Sequence, residues 1–404
     1  MTALFLTRPG IVSSLGIGLE YHIRALLAGE PSPLTRSDKL FTANDLPPKK
    51  HWLGEINRPL RPFPANLPKA HHSRNNQILW DALGQIHNDI QQAVSRFGRE
   101  RIAVVIGTST TGVDENLPIF KYAAKHNDWS QPEFNQQQQY FSAPADFIAH
   151  QYGLKNLVYG ISTACTSGVR ALISAARLLR LGVCDAVICG GVDTLSLLTV
   201  VGFNSLSVLS SEHTNPLSAN RNGINLGEGA AVFIMTREML HADDVRLLGY
   251  GASSDAYHMS SPHPQGEGAI QAFHNALQSA GIAANDVGWI NLHGTGTIHN
   301  DAMELLSVHQ VFGDNTPCTT TKPYTGHTLG AAGAIEAAVL WGVISRKMNP
   351  NGNLPPQQWD KIRDGNLPMV NITDTKSRWP LERRIGASSS FAFGGNNAVI
   401  ILGE

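Results

Sequence analysis

Cysteine is scarce in this sequence: 404 residues contain four, Cys165, Cys184, Cys189 and Cys318, with no CxxC pair among them. That excludes a zinc-ribbon framework and leaves too few thiols to staple a chain of this length. A reducing cytoplasm suits them, and a cytoplasmic protein is expected. Long apolar runs are missing too, and the N-terminus MTALFLTRPGIVSSLG has no basic stretch leading into an apolar core. Neither a membrane span nor a secretory leader is expected. Nor is charge of either sign in excess, with 31 Lys and Arg against 32 Asp and Glu and a net charge of −1. No nucleic-acid partner is expected, and any acidic partner must meet a local basic patch. GxGxxG, the P-loop, HExxH and GxSxG are all absent, which removes the simplest nucleotide, zinc-protease and serine-hydrolase chemistries.

What is present reads as an ordinary globular chain, 42% hydrophobic and 16% charged, long enough for two domains or one large layered body. Strand-like runs such as RIAVVIGTS, CDAVICGG and DVGWINLHG alternate with helix-like ones such as GAIQAFHNALQSAG and NDAMELLSVHQVFG. This alternation predicts an α/β fold with largely parallel strands. Two halves, 1–244 and 245–404, are expected, because a new strand–helix–strand series begins at DVRLLGYGASS; no short internal repeat is visible. The Pro-rich piece from Leu46 to Lys69 and the polar piece from Asn127 to Gln139 are expected to be surface insertions.

Three places could carry chemistry. In NLVYGISTACTSGVRALISAARLLRLG a β-rich run precedes Cys165, and Val169, Leu172, Ile173, Ala176 and Leu179 recur afterwards at helical spacing. Cys165 is thus placed on a strand-to-helix turn, where free N–H groups and the helix dipole favour thiolate. A free cysteine is more often a small buried hydrophobe, and the turn alone does not decide between the two. WINLHGTGTIHND ends an apolar strand at His293, and TTTKPYTGHTLGAAGAIEAA carries Lys322 on a loop and His327 at the opening of an Ala- and Gly-rich helix. Dipole and helix start together are expected to keep His327 neutral, and the small residues to allow close packing. A turn histidine and a helix cap are the bland readings of the two. SSSFAFGGNNAVIILG reads as a hairpin whose turn can aim backbone N–H groups.

STACTSG, HGTGTIHND, TKPYTGHTLGAAGA and FAFGGNN, in this order and spacing, resemble the elongating, Cys-His-His β-ketoacyl-acyl carrier protein synthases. LSANRNGINLGEGAAVF and GASSDAYHMSSP extend the resemblance from about Arg101 to the C-terminus. It implies the thiolase fold, five αβαβα layers built from two βαβαβαββ halves, and a dimer. It also implies an acyltransferase that performs a decarboxylative condensation of an acyl thioester with malonyl-acyl carrier protein, giving a 3-ketoacyl product. In that resemblance Cys165 is the acyl-accepting nucleophile, and His293 and His327 stabilise the enolate left by decarboxylation. Lys322 and Glu304 order the histidines. The N–H groups of Cys165 and Phe393 form the oxyanion hole, Phe393 is also the gate, and Thr295 and Thr297 bind the phosphopantetheine arm. No cofactor and no metal is implied, since phosphopantetheine arrives on the acyl carrier protein.

The chain departs from the family pattern at Ala392 and Asn396, where Gly and Thr are common, and in TIHND, which lacks the usual proline. Ala392 restricts backbone angles that Gly permits. These variants resemble the ketosynthases of aryl polyene pigment clusters, which work with a homologous subunit lacking the cysteine; a heterodimer then replaces a homodimer. A housekeeping fatty-acid elongating synthase and a non-catalytic partner subunit are the alternatives. A thiolase fits less well, because FGGNN lacks the second reactive cysteine. Lys49, Lys50, Arg58, Arg61, Lys69 and Arg74 are a candidate docking patch for the acidic carrier, or simply a solvated insertion.

Overall fold

The computed structural model describes residues 2–38, 40, 50–130 and 134–404. Its N-terminal half contributes β1 (Gly10–Ser13), β2 (Ile102–Gly107), β3 (Val158–Ile161), β4 (Ala186–Asp193) and β5 (Gly229–Thr236). The C-terminal half contributes β6 (Val245–Ser254), β7 (Trp289–Asn291), β8 (Pro317–Thr319), β9 (Ile385–Phe391) and β10 (Asn396–Gly403). In the first half the order is β3-β2-β4-β5-β1, with β2 parallel to both β3 and β4, and β5 antiparallel to both β4 and β1. In the second it is β8-β7-β9-β10-β6, parallel and antiparallel at the corresponding places. The two halves repeat one topology. A two-residue strand, Phe5–Leu6, pairs with both β5 and β6 and joins them.

The alternation of side chains along the strands sets the layers. Ala103 and Val105 of β2 face one cluster, which also holds Ile23 of α1 (Leu19–Ala28), Val169 and Leu172 of α5 (Ser167–Arg180), Ile335 and Leu340 of α8 (Ala332–Ile344), and Ile400 of β10. Ile102, Val104 and Ile106 face the other way, onto Leu79 of α2 (Arg74–Gln85), Ile90 of α3 (His87–Phe97) and Phe147 of α4 (Ala143–Tyr152). On the far side, Ile290 and Ile401 pack on Phe273 of α6 (Glu267–Ala280) and Leu305 of α7 (Ile298–Phe312). The result is helix, sheet, helix, sheet, helix, with α5 and α8 as the central layer. Every residue of α8 is buried, which is why it reads as apolar all round.

Two expectations fail. The strands are not largely parallel, since β4, β5 and β1 in the first half and β9, β10 and β6 in the second pair antiparallel. The piece from Leu46 to Lys69 is not simply a surface insertion, because His51–Gly54 is a strand pairing with Thr35–Ser37 and Leu226–Gly227. Its partners lie far apart in sequence, and Leu53, Gly54, Glu55 and Ile56 are all buried. Likewise Gln138, inside the polar piece, is buried and donates to the carbonyls of Lys69 and His72.

Close approach in the central layer depends on glycine. A Cβ on Gly168 would lie 2.7 Å from Ala334 N, and one on Gly333 would lie 2.4 Å from Val169 Cγ2. No side chain fits there without parting α5 from α8. Gly168→Ala is therefore expected to cost about 1–3 kcal/mol through overpacking. Gly365→Ala, where a Cβ meets nothing within 4 Å, should stay within about 0.5 kcal/mol. Urea denaturation of the two variants checks this; equal midpoints would refute the packing argument.

Candidate active site

The carboxyl ends of the parallel strands converge, the place where open α/β sheets collect ligand-binding groups. After β3 the chain turns at Ala164, whose φ of 51° is the left-handed conformation a side chain rarely adopts. Hydroxyls clamp this turn: Ser167 Oγ donates to Ala164 O at 2.6 Å, Thr166 Oγ1 donates to Thr163 O at 2.7 Å, and Thr163 N donates to Ser167 Oγ at 2.9 Å. The turn presents Cys165 toward the second half.

After β8 come a short helix, Lys322–Thr325, then Gly326 at φ 67°, then His327. His327 is pinned by its backbone, its N–H donating to Asn225 O at 2.7 Å and its carbonyl accepting from Gly227 N at 3.0 Å. Its Nε2 lies 3.0 Å from Cys165 Sγ. His293 follows β7, and its ring centroid is 5.2 Å from that of His327 at an interplanar angle of 85°. Both Glu304 oxygens hold its backbone: His293 N donates to Oε1 at 2.7 Å and Gly294 N to Oε2 at 2.6 Å, with Ser389 Oγ donating to Oε1 at 2.8 Å.

Lys322 Nζ lies 3.3 Å from His293 Nδ1 and donates to Glu336 Oε1 at 2.5 Å. An ammonium has only donors, so His293 Nδ1 accepts and its hydrogen sits on Nε2. Glu336 was not singled out from sequence. The signal was there, since it is the one charged residue in the apolar helix α8, and a buried carboxylate needs a partner.

Cys165, His293 and His327 line one cavity together with Thr295, Thr297 and Phe393. Thr295 and Thr297 share a 3.0 Å hydroxyl contact. The Phe393 ring lies 5.9 Å from that of Phe203. In the hairpin turn the left-handed angles fall on Gly394 (φ 86°) and Gly395 (φ 76°), and Ala392 is not among the positive-φ residues. Of the basic residues, Lys50, Arg58, Arg61, Lys69 and Arg74 are all exposed; Arg58 lies over the Tyr21 ring, Arg61 over that of Trp80, and Arg74 donates to Glu228. Lys49 lies outside the described residues.

Residues 77–241 match the family model described as beta-ketoacyl synthase, N-terminal domain, and residues 245–354 match its C-terminal domain. This chain belongs to the β-ketoacyl synthase family. It is 30% identical over 420 residues to a 3-oxoacyl-[acyl-carrier-protein] synthase 2 of Coxiella burnetii, covering 98% of this chain and 97% of that one. Among solved structures it is similar to the ketosynthase ApeO, in complex with its chain length factor ApeC, from Xenorhabdus doucetiae. That pair shares 40% identity with a TM-score of 0.89, covering all of this chain and 98% of the other. The ishigamide ketosynthase/chain length factor is 25% identical, with a TM-score of 0.86 over all of this chain and 99% of that one. The fold is thus the thiolase fold of the ketosynthases, and the chain is a condensing acyltransferase.

The electrostatics of this β-ketoacyl synthase correct the thiolate expectation. Burial pushes the Cys165 thiol up to about 12, although Lys322 pulls it down. Helix α5 begins only at Ser167, and removing water from the sulfur outweighs whatever the turn supplies. His327 is neutral for a reason other than the one expected: burial and then Lys322 hold it well below the usual histidine value, and a short 3₁₀ turn, Leu329–Ala331, separates it from α8. Burial, Lys322 and His327 do the same to His293. Donor atoms of Cys165, His293 and His327 lie within 4.8 Å of one another, close enough to share a metal ion; the Lys322 ammonium beside them disfavours a dication. The resting synthase therefore holds a thiol and two neutral imidazoles. Iodoacetamide labelling of Cys165, read by peptide mass spectrometry, should rise about tenfold per pH unit from about pH 6 to 9. A plateau below about pH 8 would show a thiolate already present at rest.

Proposed function

We propose that this synthase takes an acyl group from acyl carrier protein onto Cys165 and condenses it with malonyl-acyl carrier protein to a 3-ketoacyl product. The observation that carries the reading is the 3.0 Å contact between Cys165 Sγ and His327 Nε2, beside a His293 whose Nε2–H is fixed by Lys322. In acyl transfer the Cys165 S–C bond forms and the carrier S–C bond breaks. The Cys165 proton passes through His327 to the departing thiolate, so no buried charge persists. The developing oxyanion meets the N–H groups of Cys165 and Phe393. Malonyl then loses CO₂, and the enolate oxygen accepts from His293 Nε2–H and His327. His327 Nδ1 has no partner among the described residues, so its tautomer is free to serve both half-reactions. The enolate carbon attacks the acyl carbonyl, the new C–C bond forms, and the Cys165 S–C bond breaks; Cys165 leaves as thiolate and takes a proton from water to return to the thiol. Thr295 and Thr297 would bond the phosphopantetheine arm, and Phe393 would gate the second substrate.

The two family-model matches support a division into 1–244 and 245–404, each half supplying part of the site. Likeness to ApeO supports a place among the aryl polyene ketosynthases, with a cysteine-lacking homologue as partner. The edge strand β3 is half-exposed, and Phe141 and Leu157 beside it are exposed, at 50% and 48%. An unpaired edge flanked by apolar groups suits a second subunit of the same fold. Among the described residues no helix is long and apolar enough to cross a membrane; a cytoplasmic enzyme fits the four free cysteines.

Cys165→Ala should abolish condensation with the fold intact. His293→Ala should reduce malonyl decarboxylation by about 3 kcal/mol of transition-state stabilisation and self-acylation far less. Acyl adducts on Cys184, Cys189 or Cys318 in an active variant, or equal loss of both half-reactions in His293→Ala, would overturn these roles. Co-purification with the homologous subunit, and faster elongation of polyunsaturated than saturated primers, are expected from the low entropy a rigid chain loses in a channel. A fully active homodimer that prefers saturated chains would return the enzyme to fatty-acid elongation.

A further inference from the structure

Asp193 ends β4, is fully buried, and has no part in the steps above. Its Oδ1 accepts from Thr108 Oγ1 at 2.8 Å, Ser109 N at 2.7 Å, and Thr110 N and Oγ1, both at 2.8 Å. Its Oδ2 accepts from Gly330 N at 2.6 Å. The two oxygens hold two different loops. Residues 108–110 follow β2 and reach the nucleophile's turn, where Ser109 Oγ lies 3.5 Å from Ala164 O. Gly330 lies three residues after His327, packed so closely that a Cβ on it would stand 2.7 Å from Asp193 Oδ2 and 2.8 Å from Ser109 Oγ. Only a carboxylate accepts on two oxygens from both sides at once. A buried carboxylate that merely filled space would be replaced at no loss by an apolar side chain.

We propose that Asp193 is a positioning residue for the reaction: by fastening the loop beneath the Cys165 turn to the loop that follows His327, it sets the sulfur–imidazole contact. The inference rests on the reading in which Cys165 is the acylated group. Charge and geometry pull in opposite directions here, which makes them separable. Burial chiefly raises the Cys165 thiol; Lys322 lowers it, and the Glu336 and then the Asp193 carboxylates raise it, so removing the Asp193 charge alone would make Cys165 slightly more reactive. Losing the position of His327 would make it less so.

Asp193→Asn keeps one acceptor oxygen for the Ser109 and Thr110 donors but sets an NH₂ group against Gly330 N. The test follows Cys165 acylation by hexanoyl-pantetheine thioester, by intact mass, in the full chain at about pH 7. The wild type, D193N, H327A and the double variant are compared, with iodoacetamide labelling of Cys165 run in parallel. D193N is expected to slow both reactions about tenfold when His327 is present and less than about twofold in the H327A background, the non-additivity of groups acting through one another. Gly330→Ala, which crowds the same junction from the other loop, should reproduce the loss if D193N folds poorly. Equal losses in both backgrounds, or faster labelling in D193N, would overturn the proposal. If the wild type takes no acyl group on Cys165, the functional reading falls instead, and the labelling comparison still decides the role of Asp193.

Discussion

The site depends on one buried ion pair. Lys322 and Glu336 have side chains 2% and 3% exposed, with Nζ and Oε1 2.5 Å apart. Burial lifts the Glu336 carboxyl to about 7 against the pull of Lys322. Buried pairs of this kind often add little net stability, and breaking one is costly. Here the pair serves orientation: anchored by Glu336, the Lys322 ammonium fixes the proton on the far nitrogen of His293. Without it, nothing among the described residues would hold the His293 proton on Nε2, the nitrogen away from Lys322.

The duplicated topology explains why these groups meet. Cys165 follows β3 and His327 follows β8, strands at corresponding places in the two halves. His293 follows β7, the counterpart of β2, after which come Ser109 and Thr110. Each half brings its strand ends to the same central layer, where glycines let α5 and α8 come into backbone contact. The chemistry thus arises at a seam between repeats, and neither half contains a complete set of groups.

Much of this was legible in the sequence because it is local. The β-rich run, the turn and the 3.6-residue period fixed Cys165 between strand and helix, and the FAFGGNN hairpin formed as its turn residues require. What stayed hidden is tertiary. The protonation of Cys165 follows from the burial of its sulfur among residues distant in sequence, His293 and His327 among them, not from its own turn. Glu336 looked like one residue of an apolar helix, and its meaning appears only when Lys322 is placed against it. His51–Gly54 pairs with Leu226–Gly227, a register that four residues cannot announce.

The central claim is that the resting site is uncharged at sulfur and imidazole, with His293 locked by Lys322 as the Nε2–H tautomer. Nitrogen-15 NMR of the enzyme labelled at histidine, recorded at about pH 7, reads this directly. The account predicts a neutral His293 with its proton on Nε2 and an unprotonated Nδ1 shifted by hydrogen bonding, together with a neutral His327. An imidazolium at either position, or an Nδ1–H tautomer at His293, would contradict it.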